Sequence, residues 1–365
     1  VWIPASPSME LRVNAGMTAN LKLIYFLVNY LMSKILITGA GGYIGSVATD
    51  LFLSRGYGVV GVDNFQTGYK EPLEFLKNKY SDTFNYYEID LKNDLSPIFE
   101  KELDISAVIH YAASCLVDES VRLHGKYFLN NVAVTSNLLT TMEIFNIKNI
   151  IFSSTCAVYG EAEYYPIDEK HPLNPTTPYG ASKKMAEEVI QWYGKLKEFN
   201  YMILRYFNVC GANDDGSIGD SKKPSSLLVQ NAVRGALDIE KFYLTCPEVA
   251  TPDKTPIRDY INVVDLNEAH LKALEYLLST KKSEIINLGT GTGSSVLEVV
   301  NKVKKLTGVE IPIEKANIRQ GDDAKKIADI SKAEKLLSWK PQRTIEDSVK
   351  SLITWYKNHP NGWEK

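Results

Sequence analysis

The sequence predicts an α/β protein with a doubly wound parallel sheet, accompanied by a smaller α/β domain. An apolar strand, a glycine-rich turn and a helix follow one another from Lys34, and apolar runs then alternate with helical periods. Alternating β and α segments are typical of parallel sheets, because a parallel connection needs a crossover. At roughly 150 residues per domain, the 365 residues suggest two domains or one large one.

Composition places the chain among ordinary globular proteins. Apolar residues make up 44%, charged residues make up 23%, and the formal net charge is −3. This charge offers no basic field for a phosphate backbone, so nucleic acid is excluded as the main partner. The four cysteines form no C-x-x-C pair and the five histidines show no metal-ligand spacing. We therefore predict reduced thiols, a cytoplasmic location and no metal.

The first 31 residues differ from the rest of the chain, since they show no clear apolar period. The apolar stretch 23–28 is far shorter than the roughly 20 residues of a spanning helix. A signal-peptide cleavage site would fall inside the next strand. We interpret 1–31 as an atypical N-terminal extension, Met32 as the natural start, and the protein as having no membrane partner.

The first structural unit is a strand over Lys34–Thr38, a glycine turn, a helix, and a second strand over Tyr57–Val62 that ends at Asp63. Such a turn lets backbone approach a pyrophosphate, and the helix N-terminus offers free amides and a positive dipole end. The candidate residues of the turn are Gly39, Gly42, Tyr43, Ile44 and Gly45.

The acid that ends the second strand indicates which dinucleotide binds. Asp63 follows the glycines by roughly 20 residues, the spacing of an acid that bonds the adenosine ribose. Its carboxylate would repel a 2′-phosphate, and the next residue, Asn64, adds no positive charge. The sequence therefore favours NAD over NADP; the alternative is a purely structural glycine turn.

Further elements continue the alternation. Strands are predicted over Asn85–Glu88, Ala107–His110, Ile150–Ser153 and Met202–Arg205, and helices over Asn130–Phe145 and Ser182–Tyr193. Ligands of such sheets bind outside the carboxyl ends of the strands. Two polar segments fall at predicted strand ends, namely His110, Tyr111, Ala112 and Ala113, and then Ser153, Ser154 and Thr155.

A tyrosine and a lysine stand one helical turn apart near a predicted helix start. Thr177 suits the N-cap and Pro178 the first helical position. Tyr179 and Lys183 then share one face. The ammonium, with the positive charge of a nicotinamide, favours the phenolate, so that Tyr179 can exchange a proton with an alcohol while hydride moves to the cofactor. A surface helix is the alternative for an isolated Tyr-x-x-x-Lys.

Together these residues resemble the extended short-chain dehydrogenases/reductases, and within them the nucleotide-sugar 4-epimerases that act on UDP-glucose and UDP-galactose. The resemblance covers about Met32 to Lys350. Its segments are ILITGAGGYIGS from Ile35, HYAASCLVDESV from His110, SSTCAVYG from Ser153, PYGASK from Pro178, RYFNVCGA from Arg205, IRDYINVVDL from Ile257, INLGTGTGSSVLEVV from Ile286 and RQGDDAKKIADISKA from Arg319.

The resemblance implies a Rossmann NAD-binding domain over 32–208, with 258–285 returning to it, and a nucleotide-sugar domain over 209–257 and 286–365. It implies a homodimer through the helices at 120–145 and 182–197. NAD contacts are implied for Gly39, Gly42, Tyr43, Ile44, Gly45, Asp63, Asn64, Asp90, Leu91, Tyr111, Ala112, Ala113, Asn130, Ser153 and Lys183. UDP-sugar contacts are implied for Thr155, Tyr179, Asn208, Arg258, Arg319 and Asp322, with Thr155, Tyr179 and Lys183 as the catalytic residues.

The implied reaction interconverts UDP-glucose and UDP-galactose by C4 oxidation, rotation of the 4-keto sugar and re-reduction. Another sugar nucleotide, such as UDP-N-acetylglucosamine or a UDP-pentose, is an alternative. Dehydratases and decarboxylases begin with the same oxidation but carry acids after the threonine, where this chain has Cys156 and Ala157. A non-catalytic NAD sensor is the remaining alternative, and it would not need Thr155, Tyr179 and Lys183.

Three positions depart from the pattern of the family. Cys115 stands where members of the family often have a lysine, directly after the segment that reads HYAAS here. Thr245 stands where they usually have an aromatic residue near the uracil. Lys326 falls where a side chain faces the sugar's C2 substituent. A lysine that stays inward would crowd an acetamido group, which favours UDP-glucose and UDP-galactose, whereas its flexible stem could also turn to solvent.

Overall fold

The computed structural model describes residues 34–222, 225–242, 244–316 and 324–363. Seven parallel strands form the main sheet in the order β11-β6-β5-β4-β1-β2-β3. This confirms the predicted α/β class with a doubly wound parallel sheet. The strands are β1 (Lys34–Thr38), β2 (Gly58–Asp63), β3 (Phe84–Glu88), β4 (Ile105–His110), β5 (Asn149–Thr155), β6 (Asn200–Tyr206) and β11 (Glu284–Leu288).

Seven short strands form three small sheets outside the main one. Two of these strands pair as β10-β7, three as β12-β9-β14 and two as β13-β8. They are β7 (Asn208–Cys210), β8 (Leu244–Pro247), β9 (Ile257–Arg258), β10 (Tyr260–Asn262), β12 (Ser294–Ser295), β13 (Ile313–Ala316) and β14 (Lys325–Lys326).

Helices cover both faces of the main sheet, and others lie outside it. In chain order they are α1 (Tyr43–Ser54), α2 (Glu71–Lys79), α3 (Ser96–Lys101), α4 (Val117–Arg122), α5 (His124–Phe128), α6 (Val134–Ile144), α7 (Pro178–Lys197), α8 (Leu228–Ala236), α9 (Val263–Thr280), α10 (Val296–Thr307), α11 (Ser331–Leu337) and α12 (Ile345–Asn358). A π-helical segment, Leu129–Ala133, joins α5 to α6.

The side chains of β1 show why the sheet is covered on both sides. Ile35 and Ile37 are buried in one apolar cluster with α1 and α9, whereas Leu36 is buried in the cluster on the other face with α3, α6 and α7. Successive strand residues point to opposite faces, so a strand that is apolar throughout needs a layer on each side. The sheet is therefore the middle layer of three.

A separate apolar cluster lies outside these three layers, and we call the part of the chain that forms it the second region. It is formed by residues of α8, α10 and α12, and Trp355 of α12 is fully buried in it. Both α10 and α12 begin with a capping box, in which Ser295 and Thr344 accept from the third helical residue. Such caps fix where the helix starts and stabilise it by about 1 kcal/mol.

The observed elements differ from the predicted ones mainly in length. The predicted helix Ser182–Tyr193 is the centre of α7, which runs from Pro178 to Lys197. The strand Glu284–Leu288 pairs with β6, so the main sheet extends past the predicted return at 258–285. The domain boundaries otherwise stay a prediction.

The predicted extension 1–31 lies outside the described residues, as do Arg319 and Asp322. Over the described ranges, no helix combines the length and apolar character that crossing a membrane requires.

Candidate active site

The glycine turn lies between β1 and α1, and its backbone geometry explains its composition. Gly39 has a φ of +71°, and a Cβ there would lie 2.7 Å from the backbone nitrogen of Ala112. A Cβ on Gly45 would strike the Gly39 carbonyl oxygen. Side chains at either position would push the turn away from the helix, which is why glycine is needed there.

The start of α1 is shaped to receive an anion. Gly42 is the N-cap residue and makes no side-chain cap, and a Cβ on it would meet only the Gly39 oxygen, at 3.2 Å. The amides of Tyr43 and Ile44 belong to the first turn, where no intrahelical acceptor exists. This open backbone with outward-pointing donors fits a pyrophosphate.

Two predicted carboxylates lie at the carboxyl ends of β2 and β3. Asp63 accepts from the backbone amides of Gly41 at 2.9 Å and Phe65 at 2.8 Å, so it also supports the glycine turn. The Asn64 side chain donates to Asp90 at 3.0 Å. Burial raises the pKa of Asp90, but hydrogen bonds from the Lys92 backbone and Asn64 outweigh it and lower that pKa below its ordinary value.

The segment after β4 lies against the glycine turn. The Ala112 amide donates to the Thr38 hydroxyl at 3.3 Å, and the Tyr111 hydroxyl donates to Asn267 of α9 at 2.9 Å. Ala113 is half-buried, and Asn130, in the π-helical segment, donates to Ser114 at 3.0 Å. The π turn thus brings an amide side chain to the end of the central strand.

The catalytic candidates Thr155, Tyr179 and Lys183 meet at the end of β5. Thr177 caps α7 by accepting from the Gly180 amide at 3.3 Å, which places Tyr179 in the first turn. Thr155 is the last residue of β5, and its hydroxyl accepts from the Ala157 amide at 3.1 Å. The Lys183 ammonium donates to the Ser153 carbonyl at 2.6 Å. The structure therefore brings the three predicted residues into one group.

Burial governs the protonation of this group. It raises the pKa of Tyr179 well above the ordinary value, Cys115 and Tyr206 raise it further, and the side chain of Thr155 lowers it. Burial also lowers the pKa of Lys183 to about 8. The sequence predicts a lowered Tyr179 pKa, caused by the Lys183 ammonium together with the positive charge of a bound nicotinamide. In the chain alone, desolvation of the phenolate has the larger effect and the pKa is raised.

Two of the predicted UDP-binding residues, Asn208 and Arg258, lie in the small sheets. The Asn208 amide donates to the Asp259 carbonyl at 3.0 Å, which ties β7 to the strand bearing Arg258. Arg258 donates to the Ile257 carbonyl at 3.0 Å and is half-buried. In the parallel pairing of β9 and β14, Lys326 is opposite Arg258, so two cationic side chains are neighbours there.

Sequence reasoning missed a buried ion pair between α7 and β6. Glu187 lies one turn after Lys183, and its carboxylate accepts from Arg205 at 2.6 and 3.0 Å and from Ser154. Arg205 also donates to the Tyr159 hydroxyl at 3.2 Å. A glutamate four residues beyond Lys183 on a helix with one buried face was the available signal.

A second missed feature is Asp259, next to Arg258 in the chain. Its carboxylate accepts from the backbone amides of Thr290, Gly291 and Ala328 at 2.7, 3.1 and 3.2 Å. Burial raises its pKa, whereas these bonds lower it, and burial prevails. Asp259 thus connects the end of β11 to the strand carrying Lys326.

A glycine turn that leaves first-turn amides open, together with Thr155, Tyr179 and Lys183 at a strand end, is the pattern of a dinucleotide-dependent enzyme of the short-chain dehydrogenase/reductase class. The chain belongs to the NAD dependent epimerase/dehydratase family, whose model matches residues 35–289.

Named relatives cover nearly the whole chain. UDP-glucose 4-epimerase of Lactobacillus helveticus is 39% identical over 337 residues, which are 91% of this chain and 99% of that protein. UDP-arabinose 4-epimerase 1 of Arabidopsis thaliana is 38% identical over 91% of this chain and 81% of its own length. The structure of UDP-glucose 4-epimerase from Bifidobacterium longum in complex with NAD+ and UDP has a TM-score of 0.85 at 35% identity, covering 90% of this chain and 100% of that one.

Proposed function

We propose that this chain is an isomerase that interconverts UDP-glucose and UDP-galactose, with NAD as its cofactor. The observation that carries the proposal is the placement of Tyr179 and Lys183 one turn apart on α7, with the Lys183 ammonium bonded to the Ser153 carbonyl of β5, the strand that ends at Thr155. The named relatives and the family model support the same reaction.

The residues of the turn fit the cofactor. The open backbone at Gly42 and the first-turn amides of α1 would receive the pyrophosphate, and the carboxylate of Asp63 would accept from the adenosine ribose. Asp90, Asn130 and the segment after β4 would border the rest of the dinucleotide. When bound, NAD supplies the redox chemistry by taking up a hydride and giving it back.

Proton transfer falls to the chain's own side chains. The Tyr179 phenol oxygen would take the proton of the C4 hydroxyl and return it, while Thr155 holds that hydroxyl in place. The Lys183 ammonium, held by the Ser153 carbonyl, would favour the charged form of Tyr179. Arg258 would bind a phosphate remote from C4, so the sugar ring itself can stay loosely held and turn over.

Two of the alternatives, dehydration and decarboxylation, lack the groups they require. Dehydration or decarboxylation needs acid–base side chains after Thr155, and Cys156 and Ala157 stand there. Epimerisation of another UDP-sugar would use the same machinery and differs only in the pocket around the sugar.

The assembly and the location belong to the same proposal. We propose a homodimer, because α4, α7 and the π-helical segment expose large apolar side chains, among them Val121, Leu129, Trp192 and Leu196. All four cysteines are free thiols, which supports a cytoplasmic location.

The decisive experiment mixes the purified protein with UDP-galactose, adds no NAD and resolves the nucleotide sugars. UDP-glucose should form until the two sugars reach equilibrium. A 4-keto or decarboxylated product would support an alternative reaction, and an unchanged substrate with NAD bound would support the non-catalytic sensor.

Replacing Asp63 by alanine should weaken NAD binding by about 10- to 100-fold, the usual range for a lost hydrogen bond to a charged group. Binding of NADP should not weaken in parallel, because the lost carboxylate also repelled the 2′-phosphate. Calorimetry with both dinucleotides measures the two affinities. An equal loss for both dinucleotides would show that Asp63 only supports the glycine turn, by accepting from the Gly41 amide, and does not contact the ribose.

Replacing Lys326 by alanine should improve the use of UDP-N-acetylgalactosamine relative to UDP-galactose by roughly 10- to 200-fold, the range for a pocket misfit. The matched control is Lys325→Ala, since consecutive strand residues face opposite sides and Lys325 lies over the Tyr165 ring. The measurement is kcat/KM for both sugars. Equal efficiency on both sugars before mutation would rule out the predicted role of Lys326.

A further inference from the structure

A cation from outside the predicted site reaches the wall of the cofactor cleft. The Lys222 ammonium donates to the Cys115 sulfur at 3.0 Å. Cys115 follows the segment after β4, and Ala112 of that segment lies directly against Gly39 of the glycine turn. A lysine from the loop after β7 therefore ends next to the segment that borders the glycine turn, although the two are remote in the sequence.

The backbone of Lys222 is held in place by several parts of the chain. The Tyr69 hydroxyl donates to the Ser221 carbonyl at 2.7 Å, and Arg234 donates to the Lys222 carbonyl at 3.1 Å. The Lys222 amide donates to the Asp220 carboxylate at 3.3 Å. Because α8 and the loop after β2 both donate hydrogen bonds to this segment, the fold fixes the position of Lys222.

The same loop shares a cleft with the glycine turn. Gly41, Gly42, Tyr43 and Ser46 line it from the start of α1, and Asp220, Ser221 and Lys222 line it from the loop after β7. The first-turn amides of α1 and the Lys222 ammonium favour an anion in this cleft. The Asp220 carboxylate opposes one, but it already accepts from the Lys222 amide and the Ser225 hydroxyl.

A phosphate oxygen would be a stronger acceptor for the Lys222 ammonium than the Cys115 sulfur is. An ammonium carries three donors, whereas a thiol is a weak acceptor. Burial lowers the pKa of Lys222, but Cys115 and Asp220 outweigh it and hold that pKa above the ordinary value, so Lys222 remains a cation. A bond from this cation to a phosphate oxygen would be charge-assisted and stronger.

We propose that the Lys222 ammonium binds the pyrophosphate of the dinucleotide, across the cleft from the amides of α1. The inference rests on the proposed function and adds to it a cofactor-binding residue supplied by the second region of the chain. Lys222 would then tie that region to the cofactor, since its loop contacts α8 as well as the glycine turn.

The test compares NAD and UDP binding to full-length protein freed of nucleotides, by calorimetry. Lys222→Gln should weaken NAD binding by about 10- to 100-fold and leave UDP binding unchanged. Unchanged NAD affinity would overturn the proposal. A loss confined to UDP, or an equal loss for both nucleotides, would overturn the assignment to the dinucleotide.

Two further variants separate this role from a general loss of charge. Lys70→Gln removes the same charge from an exposed side chain next to Tyr69 and should leave NAD affinity within about twofold of the parent. Adding Cys115→Lys to Lys222→Gln places an ammonium in the same space and should restore NAD binding; failure to restore it would overturn the proposed position of the cation. If the parent binds no NAD, the proposed function itself fails.

Discussion

Replacing Tyr179 by phenylalanine should lower turnover by about 10²- to 10⁴-fold, the range for loss of a positioned acid–base group. The change removes only the phenol oxygen of a side chain in the first turn of α7. The ring, which packs edge-on against Tyr127 with centroids 6.3 Å apart, is kept. Folding and NAD content should therefore stay close to those of the parent, and steady-state kinetics with UDP-galactose measures the loss.

A tyrosine elsewhere on α7 provides the matched control. The Tyr193 hydroxyl is bonded to Thr140 at 2.9 Å, so Tyr193→Phe removes the same atom without touching the catalytic group. Its turnover should match that of the parent. Near-normal turnover of a folded Tyr179→Phe protein would contradict the assignment of Tyr179 as the acid–base residue.

Replacing Glu187 by alanine should lower the free energy of unfolding by about 3–5 kcal/mol, because it leaves a buried charge without its partner. The Arg205 and Glu187 side chains are only 2% and 1% exposed. The guanidinium would keep the Tyr159 hydroxyl but lose the carboxylate that accepts from two of its nitrogens. Urea unfolding of parent and variant measures the difference.

Two companions make the stability prediction specific. The exposed pair Lys350 and Glu346 is 3.4 Å apart, and Glu346→Ala should cost at most about 0.5 kcal/mol. The double replacement Glu187→Leu with Arg205→Met should recover part of the loss, since neither charge is then left unpaired. A cost for Glu187→Ala as small as for Glu346→Ala would show that water reaches the guanidinium.

The sequence was most informative where one short stretch decides the structure. The glycines after β1 follow from steric contacts within the turn, and the start of α7 follows from Thr177 and Pro178. The Tyr179 and Lys183 positions follow from that start, because helical spacing puts them on one face. Their roles in catalysis stay predictions.

Features made by distant segments were not readable in this way. Lys222 and Cys115 are 107 positions apart, and nothing near either residue indicates the other. Arg205 reaches Glu187 from a neighbouring strand, so the pair depends on how β6 lies beside α7. The pairing of β11 with β6 is also non-local, so the extension of the main sheet to Leu288 could not be read from the sequence around either strand.

The place of β11 at the sheet edge has a consequence for biosynthesis. During translation, β6 emerges before β11 and, until Glu284–Leu288 is made, presents unpaired N–H and C=O groups along one side. At a synthesis rate of roughly 5–20 residues per second, the nascent chain carries this unpaired edge of β6 for several seconds. Asn287, which accepts from Tyr159 at 2.6 Å, arrives with the same strand. The ribosome-bound chain thus carries an edge that can pair with other chains until β11 completes the sheet.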